Sequence, residues 1–262
     1  MKIQISSISE LVQDWQSNNK PLSESNSKIK YFTDELGEIR QGIHIIAGSQ
    51  GIGKTGFLLS TALKQQQAVL FFSLDVPKNE LVKRIISQES RVALSQISNN
   101  MELKSIQSSL NNKPLYIAEN IFLNIVELKN IIHEFVKLND VKLVIIDSLE
   151  GIGINPNYWK DKEISVLVRT LNQITEDLKI SILISTQIKN NDGQKPSLNE
   201  IENINIFKRF VNTIILIHRP EYFAIEEFDD GSNSKGKAQI MIYNGTEINV
   251  KINYDKKCLL FY

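Results

Sequence analysis

Gly48-Ser49-Gln50-Gly51-Ile52-Gly53-Lys54-Thr55 is the stretch on which the reading of this chain turns. It matches G-x-x-x-x-G-K-[ST], with an apolar run at 43–47 before it and a helix-forming run at 57–64 after it, the setting in which that spacing builds a P-loop. Gly48, Gly51, Gly53 and the Gly56 that follows supply the predicted phosphate cradle. They let the backbone curl until its N–H groups point inward as an anion nest, to which the next helix adds its positive end. Lys54 is placed to neutralise β- and γ-phosphate charge and Thr55 to hold magnesium, so ATP with Mg2+ is the predicted ligand. A glycine-rich turn with a surface lysine is the plain alternative, and the full spacing with both flanks argues against it.

Outward from this motif, strand-like and helix-like runs alternate. Strands are expected at 43–47, 68–73, 115–118, 141–147 and 181–188, and helices at 54–64, 79–89, 102–110, 125–138 and 163–178. Several strands, notably 141–146 and 182–184, are near-continuous apolar runs, as expected where helices cover both faces of a mostly parallel sheet. The last quarter differs: closely spaced strands at 213–218, 238–243, 248–254 and 258–261, with Asn244-Gly245 as a turn signal, predict an antiparallel extension at one sheet edge.

Strand ends carry the remaining candidates. Asp147 closes the run Leu143-Val144-Ile145-Ile146 and can reach the magnesium shell beside Thr55. Asp75, after Phe71-Phe72-Ser73-Leu74, is the candidate base for the attacking water, with Glu150 as second choice; Asp75 equally fits as the cap of the helix that follows. Gln187 ends the run 182–187, where its amide can sense the γ-phosphate or serve as a plain polar strand terminus.

The flanks say less. Ser7-Ile8-Ser9-Glu10 reads as a capping box opening a short amphipathic helix through Ile8, Leu11, Val12 and Trp15, and the polar stretch 16–28 reads as linker. Residues 1–28 are thus expected to precede a globular domain at 29–262. No apolar run approaches membrane-spanning length and no signal peptide is visible, so a cytoplasmic location is expected. Lys and Arg total 30 against 30 Asp and Glu, so there is no overall positive field for nucleic acid. The lone cysteine, Cys258, reads as a buried small hydrophobe, which drops disulfide and zinc-cluster readings.

Together these pieces resemble the C-terminal ATPase domain of the DnaB-type replicative helicases, a RecA-like family. The resemblance rests on the P-loop, Phe72-Ser73-Leu74-Asp75, Leu81-Val82-Lys83-Arg84, Ser87-Gln88-Glu89, Lys113-Pro114-Leu115-Tyr116-Ile117, the Asp147 strand, Ser185-Thr186-Gln187 and His218-Arg219-Pro220-Glu221. It implies an α/β RecA-like P-loop NTPase working as a homo-oligomer, a hexameric ring that hydrolyses ATP between subunits and moves along single-stranded DNA through loops at 188–205. Three departures stand out. The family usually has Glu where Asp75 stands, and a shorter base slows hydrolysis. The family's Lys-x-Arg finger is missing, since Ala238-Gln239-Ile240-Met241-Ile242-Tyr243 runs straight into Asn244-Gly245, leaving Arg219, Lys235 and Lys237 as the cations that could replace it. The acidic and arginine-bearing stretch before the strand at 213–218 is replaced by 200–206.

Single-stranded DNA binding pairs cations with aromatic faces. Lys189 and Lys195 offer charge, and Lys208 and Arg209 sit between Phe207 and Phe210, which serve either as base platforms or as core anchors. Two functions remain open: a DNA-translocating ATPase, or a helicase-derived module that binds ATP and controls assembly with little turnover.

Overall fold

The computed structural model describes residues 4–8, 10, 29–98, 104–119, 123–153, 161–189 and 192–262. In chain order the strands are β1 (Gln4–Ser7), β2 (Gly42–Gly48), β3 (Ala68–Ser73), β4 (Leu115–Glu119), β5 (Val141–Asp147), β6 (Ser181–Gln187), β7 (Thr213–His218), β8 (Lys237–Tyr243), β9 (Glu247–Asp255) and β10 (Leu260–Phe261). The α-helices are α1 (Lys54–Lys64), α2 (Lys78–Ser90), α3 (Lys104–Asn111), α4 (Ile125–Asn139), α5 (Asp161–Leu178) and the single turn α6 (Ile204–Phe207).

All ten strands join one sheet in the order β1-β4-β3-β5-β6-β2-β7-β8-β9-β10. The pairs from β4 through β7 are parallel, and β7-β8-β9-β10 run antiparallel, as the last quarter of the sequence predicts. The β8–β9 hairpin turns at Asn244-Gly245, where Gly245 takes a φ of 99°.

Alternation along the strands divides the core between two faces. Val69 and Phe71 of β3, with Leu143 and Ile145 of β5, pack with Phe57, Leu58 and Leu59 of α1 and with Leu81 and Ile85 of α2. Leu70, Phe72, Val144 and Ile146 point the other way and pack with Leu128 and Ile132 of α4 and Ile164, Leu167 and Leu171 of α5. Helices on both faces explain why these strands read as unbroken apolar runs.

The N-terminus departs from the sequence reading. Residues 4–7 form β1, antiparallel to β4, with Ile5 opposite Ala118. The alternation Ile3-Gln4-Ile5-Ser6 has a strand's period, but its partner among the described residues is an edge more than a hundred residues away, so nothing local announces it. The capping box does form: Glu10 N–H donates to Ser7 Oγ at 3.1 Å, and Ser7 N–H to Glu10 Oε2 at 2.8 Å. Ile8 is fully buried in this chain's own core. The predicted helix through Leu11, Val12 and Trp15 lies outside the described residues.

A P-loop walled by three strand ends

β2 sits where the strand order reverses: its continuation goes to β3 on one side of it, while β6 continues to β7 on the other. The crevice at the carboxyl ends of such strands is where open α/β sheets take ligands. Gly48, Asp147 and Gln187 close β2, β5 and β6, and Asp75 follows β3 by two residues, so the chain delivers all four there.

The loop itself needs glycine at two points. Gly51 and Gly53 hold φ of 73° and 113°, a region that strains any side chain, and Gly53 caps the N-terminus of α1 without a side-chain hydrogen bond. Lys54 Nζ donates to the carbonyls of Gly48 and Ser49 at 2.9 and 3.0 Å, which keeps the ammonium inside the loop. Burial pushes the Lys54 pKa down, while Glu150, then Asp147 and Asp75, push it back up. The ammonium thus lies in the field of the carboxylates of Glu150, Asp147 and Asp75.

Asp147 is the hub of the site. It is 3% exposed, takes the Thr55 hydroxyl on Oδ2 at 2.7 Å and takes the Ser185 hydroxyl on Oδ1 at 2.5 Å. Burial raises its pKa; the Ser185 and Thr55 hydroxyls oppose this, Asp75 adds to it, and Lys54 opposes it. The Thr55 hydroxyl and the buried Asp147 carboxylate, 2.7 Å apart at the P-loop, are oxygen donors of the kind that would hold magnesium beside a bound triphosphate. No group of three His, Cys, Asp or Glu that could hold a metal by itself occurs among the described residues.

The next residues fan out to the neighbours. Ser148 Oγ donates to Asp75 Oδ2 at 2.5 Å. Glu150 Oε1 accepts the Thr186 hydroxyl at 2.8 Å and the Gln187 N–H at 2.7 Å, so it braces the end of β6. Gln187 lies level with Gly48 in the register, its side chain exposed. The sequence alone makes Glu150 a spare base and gives Ser148 and Ser185 no role. The one signal it offers for them is a cluster of polar residues at the ends of otherwise apolar strands.

Behind the loop, the tail Arg219-Pro220-Glu221 ties three elements together. Arg219 is 5% exposed, donates from Nη1 to Ile52 O at 3.0 Å and stacks 3.6 Å above the Tyr254 ring. Glu221 accepts the Gly236 N–H at 2.7 Å just before β8. Arg219 is therefore committed to its own P-loop and does not point outward as a substitute finger; Lys235 lies exposed in the turn before β8, and Lys237 is half-buried at its start. On the other side, Gln88 of α2 donates to Gly56 O at 3.1 Å and Leu259 O at 2.7 Å, joining α2 and the C-terminal strands to α1.

The candidate DNA contacts are only partly exposed. Phe207 is 1% exposed and belongs to the core, and Phe210 packs against that core beneath Arg169, so the pair anchor α6 rather than offer base platforms. Lys189, Lys208 and Arg209 are exposed and Lys195 is half-buried. Cys258 is buried, with its thiol 3.5 Å from Val92 O. No helix among the described residues is long and apolar enough to cross a membrane.

A doubly covered, mostly parallel sheet with a P-loop at its switch point, a carboxylate on the P-loop threonine and an antiparallel C-terminal extension defines a RecA-like P-loop ATPase domain. Within that class, the chain belongs to the DnaB-like helicase C terminal domain family, whose pattern matches residues 30–262. It is similar to the replicative DNA helicase DnaB of Leifsonia xyli subsp. xyli, 22% identical over 244 residues covering 84% of this chain and 52% of that protein. The replicative DNA helicase DnaB of Mycoplasma genitalium is 26% identical over 232 residues, 80% of this chain and 50% of its own length. Among solved structures, one of an ATPase domain superposes with a TM-score of 0.75 at 17% identity, covering 96% of this chain and 95% of that one. A DnaB-like replicative helicase studied with primase superposes at 0.74 and 20% identity, covering 85% of this chain and 57% of that one. The chain spans about half the length of these two curated relatives.

Proposed function

We propose that this chain is a magnesium-dependent ATPase of the cytoplasm that assembles into a homo-oligomeric ring, a hexamer by family, and couples ATP turnover to movement along single-stranded DNA. Residues 29–262 are the ATPase domain in this reading, with 1–28 preceding it. The observation that carries the proposal is the Thr55–Asp147 hydrogen bond, which brings the P-loop threonine and the buried carboxylate to one point.

The roles follow from position. The amides of 48–55 and the ammonium of Lys54 hold the β- and γ-phosphates; Gly48, Gly51, Gly53 and Gly56 give the backbone room, and Thr55 and Asp147 hold the magnesium. Bound magnesium neutralises charge on the β- and γ-oxygens. Asp75 takes a proton from water as the water oxygen bonds to the γ-phosphorus, and the bond from that phosphorus to the β–γ bridging oxygen breaks, leaving ADP and phosphate. Gln187, braced by Glu150, reports the γ-phosphate to the loop at 188–205, where Lys189 and Lys195 meet the DNA backbone.

A second reading has its own support. Asp75 is shorter than the family's Glu, and β8 enters its hairpin directly where the family carries Lys-x-Arg, which favours a module that binds ATP with little turnover. ATP turnover measured with and without single-stranded DNA, in wild type and Lys54→Ala, separates them. Turnover that rises severalfold on DNA and vanishes in Lys54→Ala is expected. Tight Mg-ATP binding without DNA-stimulated turnover would leave only the binding module, and no saturable Mg-ATP binding would end both readings.

A further inference from the structure

Asp75 is held through its backbone by the last residue of β5 and through its carboxylate by the residue that follows. Its N–H and that of Leu74 donate to Asp147 O at 3.3 and 2.7 Å, and its Oδ2 accepts the Ser148 hydroxyl at 2.5 Å. Ser148 is buried while Asp75 is exposed, so this hydroxyl reaches from the protein interior to a carboxylate at the mouth of the site. Leu74 is packed in turn over Gly151, where an added Cβ would come 2.4 Å from the Leu74 Cβ, so the main chain leading into Asp75 cannot close further on the turn after β5 cheaply.

We propose that Ser148 is a positioning residue that locks the Asp75 carboxylate in place for the hydrolytic step, an inference that rests on the ATPase reading above. An aspartate has two side-chain torsions. With its main chain pinned, one hydrogen bond to Oδ2 fixes both torsions and leaves Oδ1 to take the proton of the attacking water. Glutamate at this position would carry its carboxylate about 1.5 Å farther from the backbone, one carbon–carbon bond, and could not keep the same bond to Ser148. The serine lock therefore belongs with the shorter acid: this chain gains in placement part of what its aspartate loses in reach.

The dependence of one residue on the other is the test. Steady-state ATP turnover is measured for wild type, Ser148→Ala, Asp75→Glu and the double variant, with Mg-ATP affinity measured for each by calorimetry. Ser148→Ala removes only a hydroxyl and is expected to lower kcat about tenfold or more while KM and nucleotide affinity stay within about twofold. In the Asp75→Glu background the same change is expected to cost less than about threefold, because the lock is already absent. A kcat lowered but still measurable in Asp75→Glu alone also supports a carboxylate fixed at aspartate length. Equal costs in the two backgrounds, no loss in Ser148→Ala, or a change confined to KM overturns the proposal and leaves the ATPase reading standing. Absence of turnover in all four proteins with Mg-ATP binding intact overturns the ATPase reading and the lock with it.

Discussion

Replacing Gly56 by alanine sets two effects of opposite sign against each other. Gly56 lies in the first turn of α1, where alanine's higher helix propensity favours the helix by up to about 1 kcal/mol. The tertiary structure opposes it: a Cβ at Gly56 would stand 2.5 Å from the backbone carbonyl oxygen of Leu259, and a backbone atom cannot swing aside as a side-chain tip can. Reaching an ordinary contact requires the C-terminal turn to retreat by on the order of 1 Å. That retreat also pulls Leu259 O from the Gln88 amide, which now bridges it to Gly56 O. Overpacking costs about 1–3 kcal/mol and the weakened hydrogen bond about 1 kcal/mol, so the net expectation is destabilisation of about 2 kcal/mol. For a chain of this size that is a fall in Tm of roughly 4–8 °C. Urea denaturation of Gly56→Ala beside wild type reads it. Mg-ATP affinity should fall too, because the displaced turn packs on the helix that carries Lys54 and Thr55. A neutral or stabilised variant would refute the reasoning, since propensity alone predicts that sign.

Two further outcomes follow from buried polar groups. His44 of β2 is neutral: its Nε2–H donates to Arg40 O at 2.7 Å, Nδ1 faces the Tyr31 hydroxyl at 3.4 Å, and burial pulls its pKa down to about 4 from 6.5. The unfolded chain binds the proton first as pH falls, so stability from this group is full above pH 6.5 and is lost progressively down to pH 4, up to about 3 kcal/mol. Denaturation of wild type and His44→Leu at pH 7.5 and pH 5 should show a smaller pH-dependent loss in the variant, and equal losses would contradict this account. Arg219→Ala removes the Ile52 hydrogen bond and the Tyr254 stack together and should cost about 2–4 kcal/mol by urea denaturation. Arg219→Lys should not restore it, because an ammonium cannot lie flat on the ring while donating to Ile52 O; full rescue by lysine would show that charge alone matters.

Some parts of the molecule were legible in the chain because they depend on neighbours in sequence. The P-loop is eight consecutive residues whose glycines, lysine and threonine are set by their spacing along one short stretch of chain. The apolar runs of β5 and β6 announce strands buried on both faces, and Asn244-Gly245 announces a hairpin. Strand ends carrying Asp75, Asp147 and Gln187 were legible too, since in parallel strands preceded by helices every carboxyl end lies on the same side of the sheet.

What only the tertiary structure decided are the partners these residues take. β1 was hidden because a four-residue strand is specified by the edge it meets, and β4 lies far along the chain. Phe207 and Phe210 read more readily as core anchors than as base platforms, and packing decided it, with Phe207 buried and Phe210 packed against the same core. Arg219 looked like a cation free to reach a neighbour until Tyr254 and Ile52 closed on it. Ser148, Ser185 and Glu150 gained roles only when β5 was seen to lie between β3 and β6, which puts their side chains within hydrogen-bond reach of Asp75, Asp147 and Thr186. The sequence by itself determined the glycine-rich loop and the alternation that buries the sheet, because both are written in short-range spacing. Strand order decided which hydroxyl meets which carboxylate, because a hydrogen bond needs its two atoms within about 3 Å and only the assembled sheet brings residues so distant in sequence that close.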